Sequence, residues 1–301
     1  MAAITETARD NQALGIWLRI LSGVLFTGMI ICVKAVSNAV PLGEIVFFRS
    51  LFALIPLVIF LWWCREFPSG LATKRPFGHL LRSAFGAAAM FTSFVAVARL
   101  PLAEATLLSQ LSPILMAIAA GLFLAERLTI WRIVGLVLGF SGVIVLVWPD
   151  LGGGAVDNAR LIGYAFGVAS AVLTAIALIM VRSLNRTESA GAIAFYFVVA
   201  SMIGGLATLP LGWAMPDSYT LTLLIGAGLF GGFAHIAMTL AFRFTEASKL
   251  APFEYVALLW PLAADLLIFR LPLASTFLIA APLVLGGAAV AASEGRWRKA
   301  S

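Results

Sequence analysis

Apolar residues fall in stretches of about twenty, separated by short polar segments, from near residue 16 to near residue 293. A stretch of that length matches a bilayer hydrocarbon core of about 30 Å. The pattern predicts ten helices, at 16–37, 43–63, 78–98, 102–124, 131–148, 160–181, 190–212, 219–242, 250–269 and 274–293. Turn formers mark the junctions: Pro41, Pro68 with Gly70, Pro101, Pro149 with Gly152 to Gly154, Pro216 and Pro272. The segments between are too short for a folded extramembrane domain, so the predicted fold class is an all-α membrane protein.

Composition agrees. Of 301 residues 62% are hydrophobic and 11% charged, whereas soluble domains are about one-quarter charged. A soluble enzyme, a secreted disulfide scaffold and a disordered chain are excluded. The net charge of +6 would suggest nucleic acid in a soluble domain, but here no basic cluster or stacking platform accompanies it. Lys and Arg instead sort by side. With the N-terminus in the cytoplasm, the outside holds only Arg99, Arg160 and Arg270, while Lys34 and Arg49 fall within spans. The remaining cations lie inside, so both termini are predicted to be cytoplasmic. The first apolar run is of spanning length and nine more follow it, which argues against a cleaved signal peptide. Cys32 and Cys64 fall at opposite ends of neighbouring predicted helices, too far apart for a disulfide. Seven of the eight tryptophans lie at or beside predicted helix ends, as an interfacial belt requires. The exception is Trp260, midway along the ninth span, which reads either as buried packing or as an aromatic cavity wall.

Shifting the chain by 148 residues aligns its halves without a gap over about a hundred positions. Matches include Gly43/Gly191, Phe47/Phe195, Phe85/Phe233, Met90/Met238, Phe94/Phe242, Leu111/Leu259 and Pro113/Pro261. After a slip of three the register resumes with Leu138/Leu283 and Gly142/Gly287. Five helices per copy is odd, so the predicted repeats, 1–150 and 158–301, are inverted in the membrane. Inverted repeats are how many secondary transporters build two gates around a midplane site.

The segment Pro41-Leu-Gly-Glu-Ile-Val-Phe-Phe-Arg49 resembles the second-helix motif of the EamA-like drug/metabolite transporters. The stretch from Ala103 through Pro113, Leu124-Ala-Glu126-Arg-Leu-Thr129, Gly135 and Gly142 is similar to that family's helix four to five signature. The resemblance implies ten helices, cytoplasmic termini and a central cavity built by helices 1–4 and 6–9, with helices 5 and 10 peripheral. Within the family the chain is similar to bacterial exporters of aromatic and other amino acids, while relatives import S-adenosylmethionine or riboflavin. The second half departs from the motif: Phe197 stands opposite Arg49, and Arg270-Leu-Pro replaces Glu126-Arg-Leu.

Helical periodicity selects candidate cavity residues. On the ninth helix Glu254, Leu258, Pro261 and Asp265 share a face, and on the fourth so do Thr106, Gln110 and Pro113. Polar groups on one face of an apolar helix point into a cavity or into the bundle. Pro113 and Pro261 each delete a mid-helix hydrogen bond, which makes either a hinge with a free carbonyl or a static kink. The eighth helix offers Gly231, His235, Met238 and Phe242, and the third offers Ser83, Met90 and Phe94. Met and Phe walls accept varied apolar side chains, though such stripes also serve as ordinary packing. Lys34 and Arg49, near Glu44 and Glu104 at neighbouring helix ends, form an outer-gate ion network or bind a substrate carboxylate; snorkelling accounts equally for Lys34. Glu254 and Asp265 are candidate coupling-ion sites.

The spacings Gly135-x-x-x-Gly139, Gly163-x-x-x-Gly167 and Gly228-x-x-x-Gly232 favour close helix packing within the chain, so a monomer is expected, with a dimer the alternative. No catalytic constellation, metal set or cofactor motif stands out, and no Walker sequence occurs. A lipid enzyme would need clustered acids and histidines, and a channel a continuous polar lining. The expectation is a secondary transporter of the bacterial inner membrane that exports small amphipathic metabolites, amino acids foremost. An importer of S-adenosylmethionine, riboflavin or a similar metabolite is the alternative.

Overall fold

A computed structural model describes residues 12–123, 130–152, 157–245, 250, 253 and 256–297. Among these the α-helices, in chain order, are α1 Gln12–Val36, α2 Leu42–Trp63, α3 Pro76–Arg99, α4 Leu102–Ser109, α5 Leu111–Phe123, α6 Ile130–Gly152, α7 Asn158–Leu184, α8 Ala190–Leu206, α9 Ser218–Phe244, α10 Leu259–Leu267 and α11 Ser275–Trp297. Seven of the described helices are long and apolar enough to cross a membrane, and two shorter apolar helical stretches, Leu102–Met116 and Ser275–Ala291, accompany them. The chain is a multi-pass helical membrane protein.

Local chemistry sets the helix starts. Asp157 accepts the amides of Ala159 and Arg160 ahead of α7, Asp217 accepts that of Thr220 ahead of α9, and Ser189 Oγ accepts that of Ala192 in α8. Each supplies an acceptor to a donor the first turn leaves without one. Pro76 occupies the first turn of α3, where its missing N–H costs nothing.

Two expected spans are corrected. Residues 102–124 divide into α4 and α5, with Gln110 between them closing α4 through its amide to Leu107 O at 3.1 Å. In the ninth span, a turn at Ala257 and Leu258 precedes α10. The cause is the same in both. Pro113 and Pro261 have no amide for the carbonyls four residues back, on Ser109 and Ala257, and their rings crowd those carbonyls. Each proline thus becomes the third residue of a helix that starts afresh, at Leu111 and at Leu259. By contrast, α2 runs unbroken past Pro56 and α11 past Pro282. α6 also runs past Pro149, expected as a turn, because one missing bond in a last turn is easily borne.

The chain divides into two compact units, residues 1–72 with 201–269, and residues 73–200 with 270–301. Each draws helices from both halves of the sequence. In the first unit α9 packs along α1 and α2, and α10 lies against α1. In the second unit α3 packs on α7 and α6 on α11, while α4 and α5 also touch α7.

Glycines permit these approaches. A Cβ on Gly228 would lie 2.4 Å from Phe52 Cβ and 2.9 Å from the Arg49 carbonyl, and one on Gly135 would lie 2.6 Å from the Gly287 carbonyl. Gly163 and Gly167 likewise face Leu100 and Leu108. All three glycine motifs therefore pack inside the chain. A buried hydroxyl adds a bond between helices, Ser170 Oγ donating to Ala89 O at 2.9 Å. Cys32 is buried, Cys64 is exposed, and both are free thiols.

Candidate functional site

In the first unit the site begins with Arg49, the eighth residue of α2, which is 2% exposed. Its Nη2 donates at 3.5 Å to Met29 Sδ on α1 and at 3.5 Å to His235 Nε2 on α9. Its Nε and Nη1 are buried without a hydrogen-bond partner. Phe26 of α1 meets the His235 ring edge-on, with centroids 5.0 Å apart at 89°. Opposite the guanidinium stands Gly231, where an added Cβ would lie 3.1 Å from Nη2 and 3.2 Å from Nε. The absence of a side chain there is what leaves room for the cation.

Glu44 and Lys34 make contacts of their own. Glu44, fully buried in the first turn of α2, accepts the Ala214 amide at 3.1 Å through Oε2, which ties the segment before α9 to the start of α2. Lys34 lies in the last turn of α1, its Nζ 5.7 Å from the Phe269 ring centroid. Asp265 is buried in α10. Glu254 lies outside the described residues.

Trp260 packs against α1, where a Cβ on Gly23 would lie 3.4 Å from its Cδ1, and its indole N–H is buried without a partner. Leu258 and Pro261 are buried beside it in sequence, Met238 is half-buried and Phe242 is exposed.

In the second unit Glu104 pairs with Arg160. The Arg160 Nη2 reaches Glu104 Oε2 at 3.0 Å and Oε1 at 3.2 Å, and its Nε reaches Asp150 at 3.1 and 3.2 Å. Tyr164, one turn further along α7 and so on the same face, accepts from Arg160 at 2.6 Å and donates to Glu104 at 2.8 Å. The helical i, i+4 step that pairs Arg160 with Tyr164 was readable from sequence, but their meeting with α4 and α6 was not.

Three further groups were not anticipated. Arg82, assigned by sequence to topology alone, lies over the Phe197 ring at 4.2 Å from its centroid, with Nε and Nη1 buried and without partners. His79 Nε2 lies 3.3 Å from Glu188 Oε2, and Glu188 Oε1 accepts the Lys74 amide at 3.2 Å. Glu188 lies between α7 and α8. Burial raises its carboxyl pKa, but the hydrogen bonds from His79, Thr73 and the Lys74 amide prevail and hold it below the ordinary glutamate value.

The other second-unit candidates are placed plainly. Ser83, Met90 and Phe94 on α3 are buried, with Ser83 Oγ lacking a partner. Thr106, Gln110 and Pro113 are half-buried at the α4–α5 break. Among the described residues no group of three or more His, Cys, Asp or Glu could hold a metal ion.

A groove of about 470 Å³ between α2 and α9, walled by Ile55, Ile59, Phe60, Phe233, Ile236 and Leu240, is almost wholly apolar. It lacks the few polar groups that orient a ligand, so Arg49 and its neighbours make the better candidate.

The model of the EamA-like transporter family matches residues 13–148. The pseudopaline exporter of Pseudomonas aeruginosa is 30% identical over 253 residues, which cover 82% of this chain and 84% of that one. This chain belongs to the EamA-like transporter family. The S-adenosylmethionine uptake transporter of Rickettsia conorii is 29% identical over 232 residues, covering 75% of this chain and 74% of its own. A crystal structure that is 20% identical superposes with a TM-score of 0.64 over 95% of this chain and 99% of its own, which shows the shared fold alone. An EamA-like protein is a transporter rather than an enzyme.

Proposed function

We propose that this protein is a secondary transporter of the bacterial inner membrane. It exports amino acids with aromatic and other apolar side chains, and related small metabolites, by alternating access. The observation that carries the reading is the paired break: two helices restart at Leu111 and Leu259, 148 residues apart, each with a proline as its third residue. Discontinuous helices at matched positions of two halves mark binding regions in inverted-repeat transporters. Other helix starts support the same correspondence, Leu42 with Ala190 at 148 and Ile130 with Ser275 at 145. On this reading the chain holds ten spans in two inverted five-helix repeats, 1–150 and 158–301, with both termini cytoplasmic. It works as a monomer, which the internal burial of its glycine motifs supports.

The substrate contacts are drawn from Arg49, His235, Met238, Trp260 and the backbone freed at the Leu259 restart. The similarity to an exporter favours the outward direction. The similarity to an S-adenosylmethionine uptake transporter favours the second reading, import of that or a comparable metabolite such as riboflavin. Proteoliposomes tested with labelled phenylalanine, tryptophan, threonine and methionine, with and without a pH gradient, decide the first. Absence of saturable flux for all four would sink it. Rescue of the matching auxotroph would establish the second.

A further inference from the structure

We infer that Arg49 is a carboxylate-binding point of this transporter, with His235 beside it, and that the substrate supplies a counter-charge that none of the described residues does. The inference deepens the amino-acid reading above and rests on it for the rest of the ligand, though not for the acid group itself.

The contrast between two arginines carries the argument. Arg160 is held by two carboxylates and a tyrosine hydroxyl, as a structural cation should be. Arg49 is more deeply buried, at 2% exposure, yet its neighbours are a thioether and an imidazole. Among the described residues no carboxylate lies within ion-pair distance of it. A guanidinium withdrawn from water needs a charged or strongly accepting partner, and methionine sulfur is a weak acceptor.

The geometry suits a carboxylate. A guanidinium offers two bidentate edges, Nε with Nη2 and Nη1 with Nη2. Each edge here keeps one nitrogen without a partner. On α9 the residue facing the Nε edge is Gly231, so that helix places no side chain against this buried nitrogen. The rest of the surroundings, Met29, Phe26 and the His235 ring, are soft or aromatic. They suit a ligand whose remaining part is apolar.

The test uses the full-length protein in lipid nanodiscs, with 3-phenylpropionate and 3-phenylpropionamide as probes of equal shape. Binding and thermal unfolding are both read by tryptophan fluorescence. Wild type is expected to prefer the acid by about tenfold or more, the range of one charge-assisted contact. Arg49→Met abolishes the preference while the melting temperature holds or rises, because a buried charge with no ion-pair partner among the described residues is replaced by an apolar chain. Gly231→Ala, which keeps the charge but covers the Nε edge, weakens the acid and leaves the amide unchanged. The inference is overturned if wild type binds neither probe or both equally, if the preference survives Arg49→Met, or if that variant melts lower, as a broken internal ion pair would. Phenylalanine flux in the same preparations separates the two claims. An Arg49-dependent acid preference without flux defeats the amino-acid reading alone, and flux undiminished in Arg49→Met defeats the carboxylate assignment alone.

Discussion

Replacing Arg160 by Met should destabilise the protein far more than neutralising the acid it binds. Arg160 joins Glu104, whose side chain is 4% exposed, to Asp150 at 18%, and is itself 27% exposed. Without it two carboxylates face each other across α4 and α6, and the single Tyr164 O–H serves only one. Stranding a buried charge costs about 3–5 kcal/mol, and the partial exposure of Arg160 and Asp150 places this loss near the lower end, about 3 kcal/mol. Glu104→Gln leaves Arg160 paired with Asp150 and keeps an oxygen acceptor, so about 1 kcal/mol is expected. The double variant removes one of the two stranded charges and should recover about 1–2 kcal/mol relative to the sum of the singles. Thermal or denaturant unfolding in detergent micelles, followed by tryptophan fluorescence, measures all three. If Glu104→Gln costs as much as Arg160→Met, or the two losses simply add, the cluster is not the coupled unit its distances describe.

Gly228→Ala should cost about 1–3 kcal/mol, because its Cβ meets the Arg49 carbonyl and the Ala53 amide, backbone atoms that move only if the helices part. Gly286→Ala, with nothing within 4 Å, should be neutral or stabilising by about 0.5–1 kcal/mol in the same melts. Glu188 titrates below its ordinary value of 4.5, so its contribution is present above that value and disappears as pH falls through the lowered one. Hydrogen exchange at the Lys74 amide should therefore accelerate in acid, and Glu188→Gln should flatten that dependence. Pro113→Ala and Pro261→Ala each restore an amide able to close its helix. Flux should fall in both while melting temperatures hold or rise, and undiminished flux with the helix closed would argue that the breaks are static.

Seven described helices long and apolar enough to cross a membrane were legible because hydrophobic run length answers to one physical quantity, the thickness of the hydrocarbon core. Helix interruption was legible only in part. Pro56, Pro113, Pro261 and Pro282 look alike in sequence, yet two lie in continuous helices and two at restarts. Pro56 is accommodated because α9 presents Gly232, whose Cβ position lies 2.4 Å from the proline ring, and no local pattern reveals which helix will be the neighbour. The charges show the same limit. Residue identity placed Glu44, Arg49 and Glu104 on a short list, but pairing depends on interhelical register. Arg160 escaped the list because a cation at a helix end serves topology equally well.

The correspondence at 148 residues sharpens this point for the buried cations. Phe197 stands where Arg49 stands in the first half, which in sequence looks like the loss of a charge. In the second unit the Phe197 ring instead receives Arg82 from α3. The residue after Arg82, Ser83, is the counterpart of Gly231, the position that faces Arg49 on α9. Each unit therefore buries one guanidinium at the same kind of helix pair, supplied by the second helix of the repeat in one and by the third in the other. Both retain two nitrogens without partners. The chemical settings differ: sulfur and imidazole around Arg49, an aromatic face beneath Arg82. A cation over a ring already has a partner for its charge, worth about 0.5–2 kcal/mol, whereas among the described residues Arg49 has only weak acceptors. The two halves thus share a framework while giving its buried arginines unequal settings, and the one inferred above to take a ligand is the arginine that the described residues compensate least.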